Sequence, residues 1–472
     1  MTERKPFNVE TLARLPLAES VVVLLRHLLP EDHLQSVFDQ YRGASYQDLI
    51  TFPHLVTLMA EAVTGDGTLA TSLQQREEQY GIEDVPTRQA YYAKLARLPL
   101  GLSLGFFRES VKRLQGLHAD GMTSNERIPA CFDDLAIRLM DGKKIKHVAK
   151  RTKATQGRAG KLLGAVILAG YDPRSQLVDV VHAHLDGDVN ECLLVEAFMA
   201  SIPSSTTSSY LMVADAQFGD LQQPRRILAA GHHFLLRRNG KMHFHPDPQR
   251  PAQEYHDKQG RLVREEWGKV GSSADALEVR HLTVIRPGED DLCLFTDLLD
   301  KDRYPALDLL SLYGMRWDIE TLYQEVTMVF GLRHLIGSTP QAAVFQSMFC
   351  LLLANLIYVV QGYLAAAGKK TCGEVSTKKL MKDVRKQMQV GFLLLTPTEL
   401  LSLLPPLVEQ GQVRQWLTRR IQPLWKKHYE KAIEKNKRPK RLKEKQSGSH
   451  HSAYKLIQEY KAMKQSKPKE RC

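Results

Sequence analysis

The chain contains no C-x-x-C pair. Its six cysteines, Cys131, Cys192, Cys293, Cys350, Cys372 and Cys472, stand far apart. This excludes a compact zinc module and a disulfide framework, and it fits a reducing, cytoplasmic setting. No GxxxxGK[ST] loop and no internal repeat occur, so ATP-driven chemistry and solenoid architectures have no support. The first residues are polar, with Arg4, Lys5 and Pro6, and do not resemble a secretory leader. One apolar run, Met348 to Ala367, approaches membrane-spanning length. Asn355, Gln361 and Gly362 interrupt it, so a buried helix and no membrane partner are expected.

Aspartate is missing from the last tenth of the chain, and Lys and Arg far outnumber Glu there. From Lys426 to Cys472 there are sixteen Lys and Arg, five Glu and no Asp, which is net +11 in a chain of net +12. Such a tail attracts polyanions by releasing counterions, without sequence specificity. The alternative is a merely solvated tail. A second basic cluster, with Lys143, Lys144, Lys146 and Lys150, follows Asp141. It could hold DNA there, or it could be an exposed loop carrying idle charge.

Between about Asp133 and Asn239 the pattern changes. Leu135–Met140 reads as a short buried strand ending on Asp141-Gly142, and Leu162–Ala169 and Leu177–His184 read as two more strands. A helix over Glu191–Ile202 precedes a strand at Tyr210–Ala214, which delivers Asp215. A helix at Pro224–Ala230 and a strand at His233–Arg237 follow. Two strand ends thereby bring Asp141 and Asp215 side by side, the layout of a ribonuclease H-like core. Further on, Tyr313, Arg316 and Glu320 lie at offsets of three and four, as one helix face would present them. Glu320 is then the third acid. Converging carboxylates repel and must bind cations or protons, and a few hard oxygen ligands suit Mg2+. Two such ions can activate water and stabilise a leaving oxygen.

These motifs resemble those of DDE transposases of the insertion-sequence-4 family, over roughly Asp133 to Gln346. Asp141-Gly142 matches the family's first motif and Asp215-Ala216-Gln217-Phe218 its second. Tyr313, Arg316 and Glu320 match the third, with Trp317 and Ile319 between. The motif's Lys is Thr327 here, with Arg333 six residues on. The resemblance implies metal-dependent cleavage at element ends and strand transfer into target DNA, by cut and paste through a hairpin. It implies two Mg2+ ions, with Mn2+ as a substitute, held by catalytic Asp141, Asp215 and Glu320. Tyr313, Arg316, Trp317, Lys143 and Lys144 would contact double-stranded DNA, both terminal inverted repeats and target. A homodimer in the DNA complex and a bacterial, nucleoid-associated location follow from the same resemblance.

From Asp215 to Glu320 is 105 positions, more than a compact core needs. The excess reads as a mainly β insertion at about 240–300. In the family an aromatic from such an insertion stacks a flipped base. Trp267 fits a packed core aromatic better, and Trp317 is the stronger candidate. His243 and His245 fit a loop or strand edge better than a metal site. The expected architecture is therefore α/β, a ribonuclease H-like catalytic core over 129–345 with its β insertion, flanked by helical regions at 1–128 and 346–425, and a basic tail at 426–472. In the N-terminal region Thr87–Arg97 is either a recognition helix, with Arg88 and Lys94 meeting DNA, or an ordinary surface helix. Two rivals remain: an inactive transposase-derived DNA-binding regulator, and a nuclease of the same fold.

Overall fold

The computed structural model describes residues 14–64, 86–119, 127–146, 148–202, 209–271, 276–330, 335–394, 403–405, 407, 409–431 and 450–466. Among the described residues five helices come first: α1 (Pro16–Leu28), α2 (Glu31–Tyr41), α3 (Phe52–Thr64), α4 (Arg88–Arg97) and α5 (Leu100–Leu114). Pro30, in extended conformation, separates α1 from α2. Thr87 caps α4, its hydroxyl accepting from the Ala90 N–H at 3.3 Å. The first amides of α1 are satisfied from far along the chain: Gln387 Oε1 accepts from Leu17 N at 2.9 Å and Ala18 N at 3.2 Å.

A central sheet follows: β1 (Ala136–Lys146), β2 (Lys161–Asp172) and β3 (Leu177–His184), then α6 (Val195–Ser201), β4 (Tyr210–Ala214), α7 (Gln222–Ala229) and β5 (His233–Arg237). β3, β2 and β1 pair antiparallel in that order, while β4 and β5 continue parallel to β1. The interposed segment forms β6 (Phe244–Pro246), β7 (Gln253–His256), β8 (Leu262–Val270), β9 (Leu277–Val284) and β10 (Leu292–Thr296). Because β10 pairs antiparallel with β5, these strands extend the central sheet instead of forming a separate one.

Two expectations change. The first strand does not stop at Asp141 but runs to Lys146. Beyond Leu139 it has lost β4 as a partner yet still pairs with the apolar β2, so Lys143, Lys144 and Lys146 lie in a strand, not in a loop. Nor do Tyr313 and Glu320 share one helix. α8 (Ala306–Gly314) ends and α9 (Trp317–Val329) begins around Met315-Arg316. There the amides of Met315 and Arg316 bond to the carbonyls of Leu312 and Tyr313, three residues back, which tightens the turn.

The apolar run becomes α10 (Pro340–Ala367), buried from Ala342 through Ala365. Its polar residues are satisfied inside the protein. Asn355 accepts from Val178 N at 3.0 Å and donates to Val178 O at 2.7 Å, completing β3. Gln361 donates to the Cys372 and Val375 carbonyls. α10 packs on β2 and β3, on α1, α3, α4 and α5, and on α11 (Thr377–Leu394) and α12 (Gln410–Ile421). α12 also packs on α1, where Arg420 pairs with Glu19 at 2.5 Å. Part of the basic tail is not a solvated extension: β11 (His450–Ser452) adds to β2 in parallel and α13 (Ala453–Ser466) follows, with Lys455 near Asp186 and Asp188. Arg333, Cys472 and residues 432–449 lie outside the described residues.

Candidate active site

β1 and β4 run parallel and in register up to Leu139 opposite Val213. Asp141 and Asp215 each follow two residues later, so they stay level and project from the same sheet face. Ile137, Leu139, Leu211 and Val213 on that face belong to the core that α10 fills, and the two acids mark its polar end. Asp215 Oδ1 accepts from Gln217 N at 2.9 Å, which fixes the turn leaving β4. α9 lies against β1 here, and Tyr323 donates its hydroxyl to the Asp141 carbonyl at 3.2 Å.

α9 also brings Glu320, in its first turn. Arg316 Nη1 is 2.5 Å from Glu320 Oε1, and Arg316 as a whole is 6% exposed. Its guanidinium lies over two rings, 5.8 Å from the Tyr313 centroid and 4.8 Å from that of Trp317. Tyr313 is buried, whereas Trp317 is 59% exposed, so one indole face is covered by Arg316 and the other is open.

Burial pushes the Asp141 carboxyl up to about 7, and the charges of Asp215 and Glu320 push the same way, against Arg316 and the Gly142 amide. Near neutrality Asp141 therefore holds a proton for much of the time unless a cation replaces it. Lys143 shares the face of Asp141, its ammonium 5.6 Å over the Tyr323 ring, and burial lowers its pKa. Lys144 points to the opposite face, toward Glu191. Mutually repelling, partly buried carboxylates form a donor set that fits a hard divalent cation. They are not drawn together as a finished cage. Among the described residues no three His, Cys, Asp or Glu side chains form a group that could hold a metal ion. Glu320 is turned onto Arg316 and one Asp215 oxygen is engaged by Gln217, which accounts for the open arrangement.

A residue that sequence reasoning missed also borders the site. Glu191, 7% exposed, reaches from the other sheet face and accepts a hydrogen bond from Gln217. Burial raises its pKa, and Asp215 adds to the effect. It opens a short helical turn capped by Asn190, whose side chain accepts from Cys192 N at 3.0 Å. In sequence a Glu directly after such a cap reads as an ordinary first-turn acid, so only the Asn190 cap could have drawn attention to it.

The remaining candidates are scattered. Arg88 is exposed on α4, which packs on α10. Lys94 on the same helix donates to the Tyr46 carbonyl and sits 5.4 Å over the Tyr46 ring, so its ammonium is engaged. Thr327 gives its hydroxyl to the Tyr323 carbonyl at 2.6 Å. Trp267 is 7% exposed and donates to the Leu299 carbonyl at 3.0 Å, a packed core aromatic. His245 lies on β6, at an end of the sheet, with neighbouring Phe244 stacked on His281.

No curated protein matches the chain. Residues 133–356 match the family model of the transposase DDE domain, a stretch that runs from just before β1 into α10 and contains Asp141, Asp215 and Glu320. Proteins with this domain act on DNA and generally use divalent metal ions. The chain carries a transposase DDE domain, which indicates a DDE transposase, a polynucleotidyl transferase.

Proposed function

We propose that this transposase cuts DNA strands at the ends of its element and joins them to target DNA by in-line phosphodiester displacement, by cut and paste through a hairpin, as in the insertion-sequence-4 family. The observation that carries this reading is the level placement of Asp141 and Asp215 on adjacent parallel strands, with α9 laying Glu320 over the same region. Three antiparallel strands followed by two parallel ones support a ribonuclease H-like core. Asp141, Asp215 and Glu320 would hold two Mg2+ ions, or Mn2+ in their place. When bound, these supply a Lewis acid that lowers the pKa of water and stabilises the leaving oxygen.

The chain's own groups do the positioning. Glu320 must turn from Arg316 to share a cation, and that frees the guanidinium for a phosphate of the cleaved end. Tyr313 and Trp317 hold the guanidinium in plane, and the open face of Trp317 suits a stacked base. Glu191 braces Gln217, and through it the turn that carries Asp215. Handling two ends together calls for a homodimer on the DNA.

The test is cleavage of a labelled duplex carrying the flanking inverted repeats, with and without Mg2+. Metal-dependent nicking at the repeat boundary is expected, lost in Glu320→Ala while end binding persists. Equal loss of binding and cleavage would remove Glu320 from the proposed role. One observation favours a second reading, a regulator that binds without cutting: Thr327 spends its hydroxyl on its own helix. Binding with no cleavage at any metal concentration would select it.

A further inference from the structure

We propose that the basic face of α11 is a track for the DNA backbone beside the cleavage site, and that it supplies the positive charge that Thr327 does not. Lys378, Lys382, Arg385, Lys386 and Gln389 of α11, with Met328 and Val329 of α9, line a groove of about 500 Å³. The four cations recur at helical spacing along one side of α11. The opposite side is apolar and buried, with Leu380, Met381, Val384 and Met388. Asp383, the sole acid in α11, is turned elsewhere, accepting from the Tyr429 hydroxyl at 3.1 Å and 3.7 Å from His428. Lys379 is likewise used by the carbonyls of His428 and Glu430. Among the described residues no carboxylate is in ion-pair contact with the exposed Lys378, Lys382 or Lys386, and Glu325 meets Lys378 through its backbone N–H and as a neighbouring charge.

The row is fixed to the catalytic helix. Arg385 donates to the Val329 carbonyl at 2.6 Å, at the end of α9 where helix carbonyls favour a cation. Met328 lies eight residues beyond Glu320, ~12 Å along the helix axis at ~1.5 Å per residue. A duplex strand covers that length in roughly three to four nucleotides. Lys378 to Lys386 spans a similar ~12 Å, too long for one phosphate and matched to several in a row. The occupant with evenly repeated negative charge on that scale is the sugar–phosphate backbone of duplex DNA. The placement rests on the proposed role of Glu320 at the reacting phosphate.

The experiment uses the full chain with Lys378, Lys382 and Lys386 all changed to Ala, in an Asp141→Asn background so that binding is read without cutting. Affinity for an element-end duplex is measured at several NaCl concentrations. The expected result is a log K against log [salt] slope shallower by roughly two to three, at ~0.9 per lost phosphate contact, for specific and scrambled duplexes alike. Phosphate-ethylation interference should disappear three to four nucleotides from the cut. The triple Lys→Arg variant should keep both signals, and an unchanged thermal midpoint in the Ala variant excludes unfolding. An unchanged slope and footprint would overturn the track. Adding Thr327→Lys to the Ala variant should return about one unit of slope. No return would overturn the claim that α11 stands in for that position. Cleavage that survives Asp141→Asn would count against the acidic site alone, because the slope is a separate reading.

Discussion

Glu191 packs so closely on Gly142 that a Cβ built at 142 would lie 2.5 Å from the Glu191 Cγ and 2.9 Å from its Cβ. The glycine beside Asp141 is therefore the space in which Glu191 reaches Gln217.

Gly142→Ala should displace Glu191 and cost about 1–3 kcal/mol, as overpacking does in a filled interior. In a double-mutant cycle, Glu191→Ala should recover most of that loss. Denaturant unfolding of the four proteins measures it; additive costs would mean that the two residues do not share this space.

Arg316 holds its place by stacking as much as by charge, so Arg316→Lys should behave more like Ala than like the wild type. On the proposed cut-and-paste route, both variants should slow hairpin formation by roughly tenfold or more, with a smaller effect on the first nick. Single-turnover assays separate the steps, and equal slowing of both would contradict the placement at the cleaved end.

Glu325, on α9 and buried, has its carboxyl pushed up to about 7 by desolvation, against the neighbouring Lys431 and Lys378 and a bond from Tyr358. A carboxyl raised on folding takes up a proton, so its stabilising contribution is full below the ordinary value near 4.5 and is lost as pH rises through about 7. The loss amounts to roughly 3 kcal/mol at most. Glu325→Gln should flatten the stability profile between about pH 5 and 8. Thermal melts across that range would show it, and an equally steep profile in the variant would assign the dependence to other groups.

Asn355 makes both of its bonds to the backbone of Val178 at the rim of the sheet. Asn355→Leu leaves a buried N–H and a buried C=O unpaired and should cost about 2–4 kcal/mol. Hydrogen exchange at Val178 should accelerate in the variant, and unaltered protection there would argue that water or a shift of β3 takes over.

Much of this was legible in the chain because the patterns were local. The apolar runs at Leu177–His184, Tyr210–Ala214 and His233–Arg237 became β3, β4 and β5. The uncharged stretch around Asn355 became a buried helix because its polar groups recur where the sheet and the α11 approach need partners. What was missed depends on partners distant in sequence. DGKKIK reads as a turn and a charged loop, yet it stays extended because β2 lies alongside. Glu191 reads as a first-turn acid until Gly142 and Gln217 are folded against it. His450–Ser452 carries no strand signal, and only the free edge of β2 makes it one.

The central position of α10 has a practical consequence for dissecting the protein. Phe345 touches both Phe52 and Phe106, and Phe349 stacks on Phe106, so helices from the first quarter of the chain form the wall of this helix. A fragment beginning near residue 127 would look like a convenient way to isolate the matched domain. It would strip that wall away and present a long greasy seam to water. Such a fragment should drop into inclusion bodies, and the piece removed, lacking α10, should be no better behaved. DNA recognition and strand chemistry in this chain are best separated by point changes, because scissors would cut through a shared interior.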